Sequence, residues 1–80
     1  MKHPSRKEVD AVKEMYPVGT EIELIYMDDA QAPPPGTKGI VFHVDGIGQV
    51  HVNWETGSTL ALVPGVDCCV IIEPEEELDL

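Results

Sequence analysis

Cationic side chains are scarce in this 80-residue chain: five Lys and Arg stand against fifteen Asp and Glu, giving a formal charge of −10 with the three His neutral. That shortage argues against direct nucleic-acid binding, whose affinity comes mostly from Lys and Arg displacing counterions from phosphates. Aromatics are few as well, with one Trp, two Tyr and one Phe. Long apolar runs are missing; none approaches the ~18–20 residues needed to span a bilayer. No apolar segment follows the charged N-terminus as a signal peptide requires. The expectation is therefore a cytoplasmic protein with no membrane contact. Length is short too. A chain of this size buries only roughly 60–65% of the surface its unfolded form exposes, which disfavours a second core, a cofactor fold or a deep catalytic cleft. Binding or assembly roles gain, and no cofactor is expected.

What charge there is sits unevenly. Residues 1–14 hold Lys2, Arg6, Lys7 and Lys13 against Glu8, Asp10 and Glu14, a net of +1. Residues 15–72 hold Lys38 alone against Glu21, Glu23, Asp28, Asp29, Asp45, Glu55 and Asp67, a net of −6. The last eight residues add −5 through Glu73, Glu75, Glu76, Glu77 and Asp79. A run of this kind repels itself and has little apolar surface to bury, so 74–80 reads as a disordered acidic tail.

The N-terminal segment, 1–16, reads as a helix. Ser5 is placed to cap it, with Glu8 completing a capping box. Val9, Val12, Met15 and Tyr16 recur at helical spacing and form one narrow apolar face. Pro17 ends the helix, because the residue before a proline is pushed out of the α region. A helix this short is marginal alone in water, so it must pack on the domain that follows.

From Thr20 the period becomes alternating. Ile22, Leu24 and Tyr26 alternate with Glu21 and Glu23, the pattern of a half-buried strand. Met27 to Gly36 is too rich in proline for sheet or helix and reads as a long, stiff loop. Gly46-Ile47-Gly48 reads as a three-residue hairpin loop. It would pair Val44 with Val50, Phe42 with Val52 and Ile40 with Trp54 on one face. Asp45 with Gln49, His43 with His51 and Val41 with Asn53 would share the other, more polar face, a segregation that a one-residue slip would destroy. Ser58 to Leu62 follows as a fourth strand with Leu60 and Leu62 inward. Val63 to Asp67 forms a tight bend, and Cys68 to Ile72 a fifth strand. Short strands with turn signals at such spacing predict a mainly β fold. The expected architecture is a small five-stranded SH3-like barrel over 17–73, preceded by one short N-terminal helix and followed by the acidic C-terminal tail.

A resemblance extends this reading. Tyr16-Pro17-x-Gly19-Thr20-x-Ile22-x-Leu24, Met27-Asp28-Asp29 and Pro35-Gly36-Thr37-Lys38-Gly39 are similar to the pattern of a bacterial and phage family catalogued as a domain of unknown function. Val44-Asp45-x-Ile47-Gly48, His51-x-x-Trp54, Gly57-Ser58-x-Leu60-x-Leu62 and Pro64-Gly65-x-Asp67 continue it, so that the likeness covers roughly residues 8–72. Ala30 departs from it, standing where that pattern has proline. The resemblance implies an origin in bacteria or mobile elements and no settled activity.

Candidate chemistry is sparse. His43 and His51 face each other across the hairpin, but a structural zinc site needs four ligands. Solvent-facing imidazoles and no metal are expected. Cys68 and Cys69 are neighbours on a strand, so one points in and the other out. They form no Cys-x-x-Cys pair and no disulfide is expected. Asp28 and Asp29 suit turn capping better than calcium, which recruits more oxygen ligands at regular intervals. No nucleophilic triad, phosphate loop or nucleotide fingerprint is present, and no enzyme activity is expected. Gly36-Thr37-Lys38-Gly39-Ile40-Val41 resembles the glycine-centred start of a strand in RNA-binding SH3-like domains, but those surround it with cations absent here.

The sequence thus predicts a protein-interaction module that binds a protein partner and is itself a monomer or weak homo-oligomer. Tyr26, Asp28, Asp29, Pro33 and Pro34 are the candidate partner contacts. The alternative is an acidic nucleic-acid mimic that occupies the basic groove of a DNA- or RNA-binding protein, which requires the acids of the body to form one continuous face.

Overall fold

The computed structural model describes residues 5–73; the expected acidic tail at 74–80 lies outside the described residues. Helix α1 spans Arg6–Met15. Ser5 Oγ accepts from the Glu8 N–H at 3.1 Å while a Glu8 carboxylate oxygen accepts from the Ser5 N–H, the reciprocal box read from the sequence. Tyr16 leaves the helical region at φ −124°, ψ 65° ahead of Pro17. Val9 is buried, and Val12 and Tyr16 pack on the core, whereas Met15, expected on the same stripe, is 59% exposed. Val9 and Tyr16 lie about two turns apart and align, while Met15 falls about 120° round the helix from Val9.

Four strands follow: β1 (Glu21–Tyr26), β2 (Lys38–Val44), β3 (Val50–Trp54) and β4 (Cys68–Ile71). They form one antiparallel sheet in the order β3-β2-β1-β4. Ile22 and Leu24 of β1, Val41 and Val44 of β2, and Val50, Val52 and Trp54 of β3 line its inner face with Met27 and Leu62. No helix among the described residues is long and apolar enough to cross a membrane.

Two bulges set which residues face inward. The β2–β3 ladder begins as the hairpin arithmetic requires, with Val44 opposite Val50 and His43 opposite His51. The register then shifts between His43 and Val41, so that Val41 meets Val52, Ile40 meets Asn53 and Gly39 meets Trp54. The expected pairs Phe42 with Val52, Ile40 with Trp54 and Val41 with Asn53 are therefore corrected. Val41 is buried, while Phe42 and Ile40 are 42% and 52% exposed. An extra residue in one strand turns neighbouring side chains to the same side and breaks the alternation that strand reading assumes. The same happens in β1, whose register against β4 shifts between Leu24 and Tyr26. Tyr26, expected inside, is 52% exposed; Met27, expected in the loop, is in the core.

The expected fourth strand does not form a ladder. Ser58 to Leu62 makes one bridge, in which Leu62 and Val50 exchange N–H···O bonds of 2.7 and 2.9 Å. The Leu60 carbonyl is occupied by the Trp54 indole N–H at 2.9 Å, which holds it out of pairing with β3. Leu62 is buried and Leu60 packs beside it, as expected. The bend before β4 is present, with the Val66 and Asp67 N–H groups both donating to the Val63 carbonyl. The result is a four-stranded open sheet where five strands closed into a barrel were expected.

Gly39 permits the β2–β3 contact. A Cβ built there would stand 2.4 Å from Val52 Cγ1 and 2.8 Å from Trp54 Cε3, both on buried side chains. Neither neighbour has space to withdraw, because interiors are close-packed. Gly39→Ala is expected to destabilise the domain by about 1–3 kcal/mol or prevent folding, seen as a lowered thermal midpoint. An unchanged midpoint would contradict this packing.

Candidate functional site

Tyr26 and Asp28 come together where β1 ends. The Tyr26 hydroxyl donates to Asp28 Oδ1 in a long 3.5 Å bond, with both side chains at the surface. The corner is fixed from below by Asp67, 39 residues away in sequence. Its Oδ1 accepts from the Asp28 N–H and its Oδ2 from the Val63 N–H, each at 2.8 Å. Sequence reasoning missed this carboxylate as a clamp, although it closes the Pro64-Gly65-Val66-Asp67 motif. Asp29 turns onto its own loop, its Oδ1 accepting from the Gln31 N–H at 2.7 Å in the capping role expected of it.

The candidate prolines separate. Pro33 is buried and Pro34 is exposed. The Pro34 carbonyl accepts from both the N–H and the Oγ1 of buried Thr37, at 3.1 and 2.6 Å. The Gly36 N–H then donates to the Leu24 carbonyl at 2.7 Å, which returns the loop to β1.

At the opposite end of the sheet, His43 and His51 stack at a tilt with ring centroids 5.5 Å apart, and Phe42 meets His51 edge-on at 5.9 Å. His51 Nε2 lies 2.8 Å from Asp45 Oδ2. Asp45 Oδ1 accepts from the Ile47 and Gln49 N–H groups at 3.1 and 2.9 Å, tying the hairpin loop. Desolvation pushes the Asp45 pKa up, but His51 and these backbone donors outweigh it and hold the carboxyl below its ordinary value. This loop also supports α1, since the Val9 and Val12 side chains lie over Gly48. Among the described residues no group of three His, Cys, Asp or Glu is placed to hold a metal.

The cysteines split as the strand period requires. Cys68 is exposed and Cys69 half-buried, both as free thiols. The Cys69 thiol donates to the Tyr16 hydroxyl across 3.7 Å. Burial, aided by that thiol, pushes the Tyr16 phenol up to about 12. Burial also raises Cys69, against the opposing pull of Tyr16. Beside this pair, Met15, Val18 and Ile71 line an open cleft flanked by Glu14, Glu21 and Glu73.

Fold and surface together define a small mainly β domain: one capped helix on a four-stranded antiparallel sheet, with Tyr26 and Phe42 outside. The family model described as Domain of unknown function (DUF4314) matches residues 5–72, and the chain belongs to that family. No curated protein and no solved structure matches it.

Two outcomes follow from these environments. Because the Asp45 pKa is depressed on folding, its contribution is complete above the unfolded value near ~3.9 and is lost as pH falls through the folded value. Acid titration of Asp45→Asn should accordingly show a shallower loss of stability below about pH 4 than wild type; parallel curves would refute the pinning. Mild alkylation followed by peptide mass spectrometry should modify Cys68 in the folded protein and Cys69 only after unfolding, whereas equal rates would contradict the burial of Cys69.

Proposed function

We propose that this chain is a non-enzymatic protein-interaction module, cytoplasmic and of bacterial or mobile-element origin, whose sheet presents its outer face to a protein partner. The observation that carries the proposal is the effect of the two bulges. They turn Tyr26 and Phe42, two of the chain's four aromatic residues, to the surface. Unbroken alternation would have kept both on the core face. Aromatic side chains held outside on rigid strands are the usual anchors of protein interfaces. Exposed Ile40 extends the apolar outer surface of β2, and Asp28 provides a polar neighbour for Tyr26.

The chain path also favours an SH3-like reading, in which residues 58–62 return along β3 and the sheet runs β4-β1-β2-β3. Fold by itself assigns no partner.

The acids favour interaction over mimicry. Asp29, Asp45, Glu55 and Asp67, four of the seven carboxylates in residues 15–72, accept from backbone N–H groups. A carboxylate committed to a backbone N–H is positioned by the turn it holds, which favours a structural role for these four over phosphate mimicry. Affinity capture from the native host, repeated between ~50 and ~300 mM salt, tests the reading. A stoichiometric protein should be retained across that range, and Tyr26→Ala or Phe42→Ala should each weaken binding by about tenfold with the melting temperature preserved. Recovery of no partner, or capture abolished by salt alone, would overturn it.

A further inference from the structure

The two edges of the sheet are finished differently. Along β3, Ser58 and Leu62 lie against the strand, with the Trp54 N–H donating to the Ser58 carbonyl and Val50 exchanging bonds with Leu62. Along β4 the only ladder is the one to β1 among the described residues. The Ile72 N–H donates to the Glu21 carbonyl at 2.8 Å. Alternation along an antiparallel ladder then turns the backbone groups of Val70 and Ile72 toward β1 and those of Cys69 and Ile71 toward the open side. Neither Cys69 nor Ile71 has a backbone partner there among the described residues. Exposed edges are commonly blunted by lysine, proline or a bulge. Cys68-Cys69-Val70-Ile71 contains no charged residue and no proline, and Val70 and Ile71 are exposed.

The end of this edge has its own chemistry. Met15, Val18 and Ile71, all exposed, line the cleft where β4 meets the turn after α1, and Glu14, Glu21 and Glu73 stand around it. We infer that the β4 edge receives an extended segment of a partner protein as an added strand, apolar at alternate positions and flanked by Lys or Arg that sit against these three glutamates. Main-chain bonds to Cys69 and Ile71 would provide affinity, and the cleft would select for cations. A second copy of this chain fits poorly. The register pairing Cys69 with Ile71 of a copy sets Glu73 opposite the copy's Asp67, and each copy carries a formal −10. The inference rests on the interaction-module reading but uses the sheet edge, whereas that reading rests on the outer face.

The test is an amide NMR titration of the full chain with two short synthetic peptides of alternating valine and threonine, one flanked by lysines and one by glutamates. The lysine peptide should protect the Cys69 and Ile71 amides from exchange and bind at least about tenfold tighter than the glutamate peptide. Ile71→Pro removes an outward N–H at an edge position that tolerates proline and should weaken binding about tenfold. Glu14→Lys, on an exposed turn of α1, should do the same while leaving the fold intact, so the proposal is tested even if Ile71→Pro fails to fold. Equal binding of the two peptides, protection away from β4, or unchanged affinity of both variants would overturn the edge site. So would β4 protection without peptide at twice the 8.8 kDa chain mass in light scattering, which would assign the edge to a second copy. None of these results bears on capture through Tyr26 and Phe42, so the two readings fail separately.

Discussion

The close approach of Trp54 and Val52 to the bare Cα of Gly39 is the contact on which the rest of the sheet depends. With the hairpin fixed at Val44 and Val50, simple alternation would bring Ile40 opposite Trp54 and put two large side chains at one level. Displacing the ladder by one residue at Phe42 places a glycine under the indole instead, and Val41 takes the core position. The indole N–H then reaches the Leu60 carbonyl, which keeps the following segment irregular. A single residue without a side chain thus coordinates the register, the bulge and the irregular course of residues 58–62.

Several elements were legible because their signals are local. The capping box at Ser5 and Glu8, the stop at Pro17, the hairpin at residues 46–48 and the opposite faces of Cys68 and Cys69 depend on neighbours in sequence, and all were read correctly. The bulges depend on volumes meeting across strands, which periodicity does not encode. In both, large apolar side chains continue the alternation on paper while the inward positions step by three, from Leu24 to Met27 and from Val41 to Val44. Of the candidate contacts, Tyr26 and Asp28 meet at the surface because β1 is bulged there. Pro33 lies inside because the loop is drawn back to Leu24 through Gly36 and to Thr37 through Pro34. Asp67 was hidden as a clamp because its partners Asp28 and Val63 belong to segments that only the finished fold brings together.

The acidic composition takes a different meaning once the carboxylates are located. Short turns leave N–H groups with no ladder partner, and an Asp or Glu nearby can satisfy them without further chain. Asp29, Asp45, Glu55 and Asp67 all do so, in the loop after β1, the β2–β3 hairpin, the start of β2 and the bend before β4. A domain with many turns and a small core has strong use for such acceptors.

The placement of β1 has a consequence for synthesis. It lies inside the sheet, with β2 on one side and β4 on the other, and its pairing of Ile22 with Ile71 joins residues about fifty positions apart. While the ribosome is still adding the middle of the chain, one side of β1 has no strand to pair with. The β2–β3 hairpin can pair from local contacts and offer α1 a surface at Gly48, but the four-stranded sheet is complete only when β4 has left the exit tunnel. Until then the backbone groups of Glu21 and Glu23 face an unpaired edge, and it is β4, made after the other three strands of this sheet, that ends this exposure.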